Sequence, residues 1–180
     1  MILNKDNDLI VMIDMVNGFS YEGAFASDNI VKLIPKMKSF LKDNIENSVE
    51  IIHYVDTHPS DAQEFNSYPV HCLEESNEAK VIADLDFAEI EIIKKNSTNG
   101  FMAKNPFEYQ KNLFIIGCVT DICIFEFALS AQKYKEEYNL PYSVNVISEL
   151  VDTFDAENHN STEINKQFLD LLKTRGVNII

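Results

Sequence analysis

Basic residues are scarce in this sequence. Fifteen Lys and Arg stand against 29 Asp and Glu, a formal net charge of −14 at pH 7. That balance argues against a nucleic-acid partner, which would want a basic face to neutralise phosphates. No apolar run approaches the roughly 18 residues of a membrane-spanning helix. The opening residues, MILNKDNDLIVMIDM, lack the basic stretch and small-residue cleavage site of a secretory signal. Cysteine is limited to Cys72, Cys118 and Cys123, an odd number with no CxxC spacing. That speaks against a disulfide framework and predicts free thiols in a reducing cytoplasm. A G-x-G-x-x-G motif is missing, and Gly18 and Gly23 are too sparse to cradle a pyrophosphate, which argues against a dinucleotide-binding module. What remains is a globular balance of 46% hydrophobic and 24% charged residues. The 180 residues suffice for one domain, spanning 1–180, with a substantial core.

The stretch Asn112–Ile124, NLFIIGCVTDICI, organises the chain. Leu113 to Ile116 form an apolar, partly β-branched run ended by Gly117, which predicts a strand buried on both faces. Thr120 and Asp121 favour helix N-termini, and an apolar helical pattern follows to about Glu137. Cys123 is thereby placed in the first helical turn, where the helix dipole favours a thiolate. It is either a nucleophile or a buried structural thiol.

Elsewhere, Leu9–Ile13 predicts a strand ending at Asp14, and the apolar stripe from Ile30 to Ile45 predicts a helix capped by Ser27 or Asp28. Pro35 inside that stripe predicts a start or a bend there. Further strands are predicted at Glu50–Val55, Glu89–Ile93, Tyr142–Ile147 and Val177–Ile180. Glu75–Leu85 reads as a weak helical piece and Pro106–Gln110 as one helical turn. Asn160 and Glu163 carry a capping pattern for a helix that Gly176 stops. The alternation predicts a three-layer α/β/α fold with a six-stranded, mostly parallel sheet.

In such a sheet the strand ends share one edge. Asp14, Asp56 with His58, Lys94 with Lys95, and Cys123 therefore converge on a single crevice. Asp56 and His58 share one side of an extended segment. With Glu64 and His71 they form an N₂O₂ set suited to Zn²⁺, Mn²⁺ or Fe²⁺, or else a polar loop whose histidines only make hydrogen bonds.

Several of these stretches carry a resemblance: D14-x-x-N-G-F, D56-T-H58, S67-Y-P-V-H71-C-L, K95-x-x-x-N-G-F101 and G117-C-V-T-D-I-C123. Together they resemble the isochorismatase-like cysteine hydrolases, and within them the nicotinamidases. The resemblance implies a catalytic Asp14/Lys95/Cys123 triad, with Lys94 a neighbour that could exchange roles with Lys95. It implies one divalent transition metal, zinc first and manganese or iron as alternatives, on Asp56, His58, Glu64 and His71. It places an oxyanion hole at the backbone N–H groups of Val119 and Cys123, after a cis bond between Cys118 and Val119. It also sets Phe19 and Tyr68 around a pyridine ring. The implied reaction hydrolyses nicotinamide to nicotinate and ammonia through a thioester, with a place in NAD salvage. Thr98, Asn99 and Gly100 depart from the family pattern and keep a rival open: another small amide or carbamoyl substrate. A third reading is an inactive family member that only binds a partner, against which the intact triad argues. The partner expected is a small-molecule amide, with neither nucleic acid nor membrane, and a homo-oligomer is left open.

Overall fold

A computed structural model describes residues 1–180. The strands are β1 (Asp8–Ile13), β2 (Glu50–Asp56), β3 (Glu91–Lys95), β4 (Asn112–Cys118), β5 (Val144–Asp152) and β6 (Asn178–Ile179). The helices are α1 (Asn17–Ser20), α2 (Asp28–Glu46), α3 (Phe125–Glu137) and α4 (Ser161–Thr174). All strand pairings are parallel, in the order β3-β2-β1-β4-β5-β6. The sheet therefore reverses its direction of growth between β1 and β4, and a crevice opens above that point at the C-terminal strand ends.

β1 shows why the fold forms. Leu9, Ile10, Val11, Met12 and Ile13 are all fully buried. Ile10 and Met12 pack with Ile30, Ile34 and Met37 of α2, while Leu9, Val11 and Ile13 pack with Phe127, Ala128 and Ala131 of α3. Successive side chains point to opposite faces, so an unbroken apolar strand is wanted where helices cover both. At roughly 2 kcal/mol per buried side chain, β1 alone contributes on the order of 10 kcal/mol against the entropy of ordering the chain.

Several local expectations need correction. β3 lies two residues later than Glu89–Ile93 and includes Lys94 and Lys95. It is an edge strand with Glu91, Ile92 and Lys94 exposed, so burial imposes little pattern on it. β5 starts at Val144 and continues through a bulge to Asp152, and the last strand contracts to Asn178–Ile179. Glu75–Leu85 is turns with one 3₁₀ turn at Ala83–Leu85. Its main chain serves the start of the crevice instead of a helix. Asn17 N–H donates to the Lys80 carbonyl at 3.0 Å, Gly18 N–H to Glu78 at 2.9 Å, and Ile82 N–H to Met15 at 3.2 Å.

α2 begins at its Ser27 cap rather than at Pro35 and is continuous through it, with Pro35 on the exposed face. There the carbonyl that loses its donor lies on the solvent side. Gly117 does not end β4, which reaches Cys118. It is required for another reason: its φ is +123°, and a Cβ there would stand 2.0 Å from the Ile13 carbonyl oxygen. The Pro106–Tyr109 turn and the Asn160 cap, which accepts the Glu163 N–H at 3.0 Å, are as expected.

Candidate active site

The strand ends bring Asp14, Lys95 and Cys123 together. Asp14 adopts a left-handed conformation, φ +52°. Its N–H donates to the Tyr54 carbonyl at 2.9 Å, and its Oδ1 accepts the Asp56 N–H at 3.0 Å. The next peptide is held by His53, fully buried in β2, whose Nε2 accepts the Met15 N–H at 3.1 Å. Register pairs Asp56 with Lys95 on the neighbouring strand. Lys95 is buried, and its Nζ lies 2.9 Å from Asp14 Oδ2 and 4.0 Å from Cys123 Sγ. It donates to the Ser97 carbonyl at 3.1 Å and also pairs with Asp56. Lys94 points outward, 68% exposed and 4.0 Å from Glu74, so geometry separates the two lysines.

Cys123 does not begin a regular α-helix. It lies in a π-helical turn, Thr120–Ile124, that leads into α3. The turn follows a cis peptide bond between Cys118 and Val119. The thiolate expected from the helix dipole is overruled. Burial pushes the thiol pKa well above its ordinary value, and the Asp14 and Asp56 charges add to that against Lys95. Asp14 is pushed up to about 7, chiefly by burial and then by Asp56, with Lys95 opposing. Burial works against the Asp56 carboxylate too, but the Lys95 charge against it holds its pKa well below the ordinary range. Burial opposes the Lys95 charge as well, and Asp14, Cys123 and Asp56 together raise its pKa well above normal.

Beside the triad stand Asp56, His58, Glu64 and His71, whose ligand atoms all lie within 4.8 Å of one another. His58 Nδ1 makes a 2.9 Å contact with Asn96 Oδ1, and His71 Nδ1 a 2.8 Å contact with the Pro69 carbonyl. Both partners are acceptors, so each Nδ1 carries the proton and each Nε2 presents a lone pair. Those lone pairs face carboxylates: His58 Nε2 is 3.5 Å from Asp56 and 3.9 Å from Glu64, and His71 Nε2 is 3.4 Å and 3.7 Å from the same two. His58 Nε2 is buried without a hydrogen-bond partner. Lone pairs converging on carboxylates fit a cation between them, and the donor set suits a divalent transition metal.

A cavity above Cys123, about 330 Å³ including its open mouth, is walled by Phe19, Tyr68, Phe25, Thr98, Ile122 and Phe154. Both aromatic residues expected at the ring are there. Phe25 gave no sequence signal. It stacks on Phe19 at 5.9 Å and meets His71 edge-on at 4.8 Å. Asn96, which orients His58, was also missed, although its place directly after Lys95 at a strand end could have marked it.

The isochorismatase domain family matches residues 8–175. Nicotinamidase 1 of Arabidopsis thaliana is 28% identical over 160 residues, covering 74% of this chain and 65% of that protein, so the chain spans under two thirds of that relative. The zinc-complexed pyrazinamidase of Pyrococcus horikoshii superposes with a TM-score of 0.81 at 23% identity, covering 97% of this chain and 98% of that one. The N-carbamoylsarcosine amidase of Thermoplasma acidophilum superposes with a TM-score of 0.77 at 19% identity, covering 96% and 95%. A six-stranded parallel sheet with this order, the crevice above its reversal point, and a family match over nearly the whole chain agree: the protein belongs to the isochorismatase family.

Proposed function

We propose that the protein is a cysteine amidohydrolase converting nicotinamide and water to nicotinate and ammonia. The observation that carries this reading is the convergence of Cys123, Asp14 and Lys95 beneath an aromatic-walled cavity flanked by the two-His, two-carboxylate quartet. The Arabidopsis relative points to nicotinamide in particular.

The resting thiol is protonated, so activation accompanies attack. Asp14, with a pKa near 7, is a base matched to neutral pH. It takes the thiol proton as the sulfur bonds to the amide carbon, and Lys95 offsets the negative charge throughout. Backbone N–H groups of Val119 and Cys123 are the donors for the oxyanion in this account. As the C–N bond breaks, Asp14 returns the proton to the leaving nitrogen, which departs as ammonia. Asp14 then takes a proton from the water that cleaves the thioester, and the sulfur leaves reprotonated. Phe19 and Tyr68 hold a flat ring in place. Asp56, His58, Glu64 and His71 would hold the metal, zinc first, which when bound supplies a Lewis acid for the ring nitrogen or for water. Such an activity would serve NAD salvage in the cytoplasm.

A second reading is hydrolysis of another small amide or a carbamoyl compound. It is favoured by Thr98, whose hydroxyl donates to Glu126 at 2.6 Å and puts a polar edge on the cavity. Ammonia release by metal-loaded protein, measured on nicotinamide beside a panel of aliphatic and carbamoyl amides, separates the two. The first reading requires nicotinamide to have the highest kcat/KM. Turnover of a carbamoyl compound with none of nicotinamide would establish the second.

A further inference from the structure

Asp121 and His159 have no part in the chemistry above, yet they touch the elements that perform it. Asp121 lies two residues before Cys123 on the π-helical turn. Its carboxylate accepts the Thr153 hydroxyl at 2.6 Å and His159 Nε2–H at 2.9 Å. His159 Nδ1 lies 2.9 Å from the Phe154 carbonyl oxygen. A carboxylate and a carbonyl both accept, and a neutral imidazole has a single N–H. Satisfying both contacts together therefore requires the doubly protonated ring. That ring also lies flat on the Phe154 side chain, with centroids 4.2 Å apart and 2° between planes. A cation over a π face suits this stacking. Phe154 is a wall of the cavity above Cys123.

We propose that His159 is a positioning residue: donating through both nitrogens as an imidazolium, it ties the turn that carries Cys123 to the segment that carries Phe154, and so fixes one wall of the substrate cavity. The substrate named in its kinetic test rests on the nicotinamidase reading; the placement of the ring does not. The groups around the ring favour its charge. Asp121 faces it from the turn after β4, and the Phe154 carbonyl from its own segment. Asp155 and Glu163 share its shallow surface depression, and Lys32 of α2 acts on Asp155. Burial opposes the charge, but the Asp121 and Phe154 contacts outweigh it and the ring pKa lies above its ordinary value. When the ring is neutral, Thr153 still holds Asp121, so the loss falls on Phe154 and substrate binding rather than on the turn and the chemistry.

The test begins with the ring nitrogens of His159 in wild-type protein at pH 7, observed by ¹⁵N NMR. Both should show protonated signatures, and a neutral ring with one bare nitrogen overturns the proposal. In steady-state kinetics, His159→Ala, which removes both contacts, should raise KM for nicotinamide about tenfold with kcat little changed: Thr153 still holds Asp121, so the net loss is that of the one charge-assisted hydrogen bond to the Phe154 carbonyl. His159→Gln, which keeps one donor, should recover part of it. Wild-type KM should rise as pH climbs through the raised pKa of the ring, where deprotonation removes the second contact, and His159→Ala should lack that rise. An unchanged KM in folded His159→Ala, or an equal loss in kcat, overturns the proposal. If wild-type protein does not hydrolyse nicotinamide, the proposed substrate fails separately. The rate of Cys123 alkylation by iodoacetamide, which enters by the same cavity, then replaces KM. It should be faster in His159→Ala, and equal rates overturn the positioning role.

Discussion

The two halves of the site handle buried charge in different ways. Around Cys123 the protein supplies its own counter-ion: Lys95 lies against both Asp14 and Asp56, donates to the Ser97 carbonyl and reaches the sulfur. In the neighbouring quartet, His58 and His71 turn lone pairs toward Asp56 and Glu64 at 3.4–3.9 Å, too far for good hydrogen bonds and repulsive in sign. One cluster is satisfied internally, as buried charges must be. The other is matched to a cation rather than to itself. Chemistry and ligand capture are thus separable by mutation, although Asp56 touches both.

The sharpest way to break that division is at the sulfur. Cys123→Ala should lower kcat by at least about 10⁴-fold with metal content unchanged, whereas Cys72→Ala keeps most activity. Cys72 is buried against Gly18, and its thiol pKa is raised by burial. Next comes the shared cation. Lys95→Met leaves two buried carboxylates without their counter-ion and should cost about 3–5 kcal/mol in denaturant unfolding, besides activity. Lys94→Met, on the exposed side of the same strand, should stay within about 0.5 kcal/mol of wild type. On the other half, His58→Ala/His71→Ala should lose the bound metal found by elemental analysis of protein purified without added metal. Equal content in both proteins would remove the quartet from the account. The smallest change is in the substrate. Benzamide keeps the outline of nicotinamide without the ring nitrogen, and its kcat/KM should fall about 10²-fold or more, because a buried polar contact is left unpaired. Comparable values would rule out a contact to the ring nitrogen.

How much of this was legible depended on whether burial or distant partners decide each residue. β1 and β4 could be read directly, because helices cover both faces and Leu9–Ile13 and Leu113–Ile116 are apolar at every position. β3 lies two residues later than its local pattern predicts because an edge strand has no such constraint. Glu75–Leu85 is not the helix its local pattern predicts because its carbonyls and the Ile82 N–H bond to residues 15–18, a pairing invisible to local periodicity. The same holds in the site. Asp14, Lys95 and Cys123 could be brought to one crevice by topology, since each follows or ends a parallel strand. The protonation state of Cys123 could not, because it depends on burial and on two carboxylates from other strands. Phe25 and the Asp121–His159 pair gave no local signal, their partners being far away in sequence.

The central claim is that Cys123 attacks the carbonyl of a ring amide. Metal-loaded protein should be mixed with nicotinamide, quenched in acid within a turnover, digested and examined by mass spectrometry. A nicotinoyl group on the Cys123 peptide, absent from the Cys72 and Cys118 peptides and from Cys123→Ala, is the predicted result. Ammonia release at the wild-type rate by Cys123→Ala, or an acyl group carried by a different residue, would contradict it.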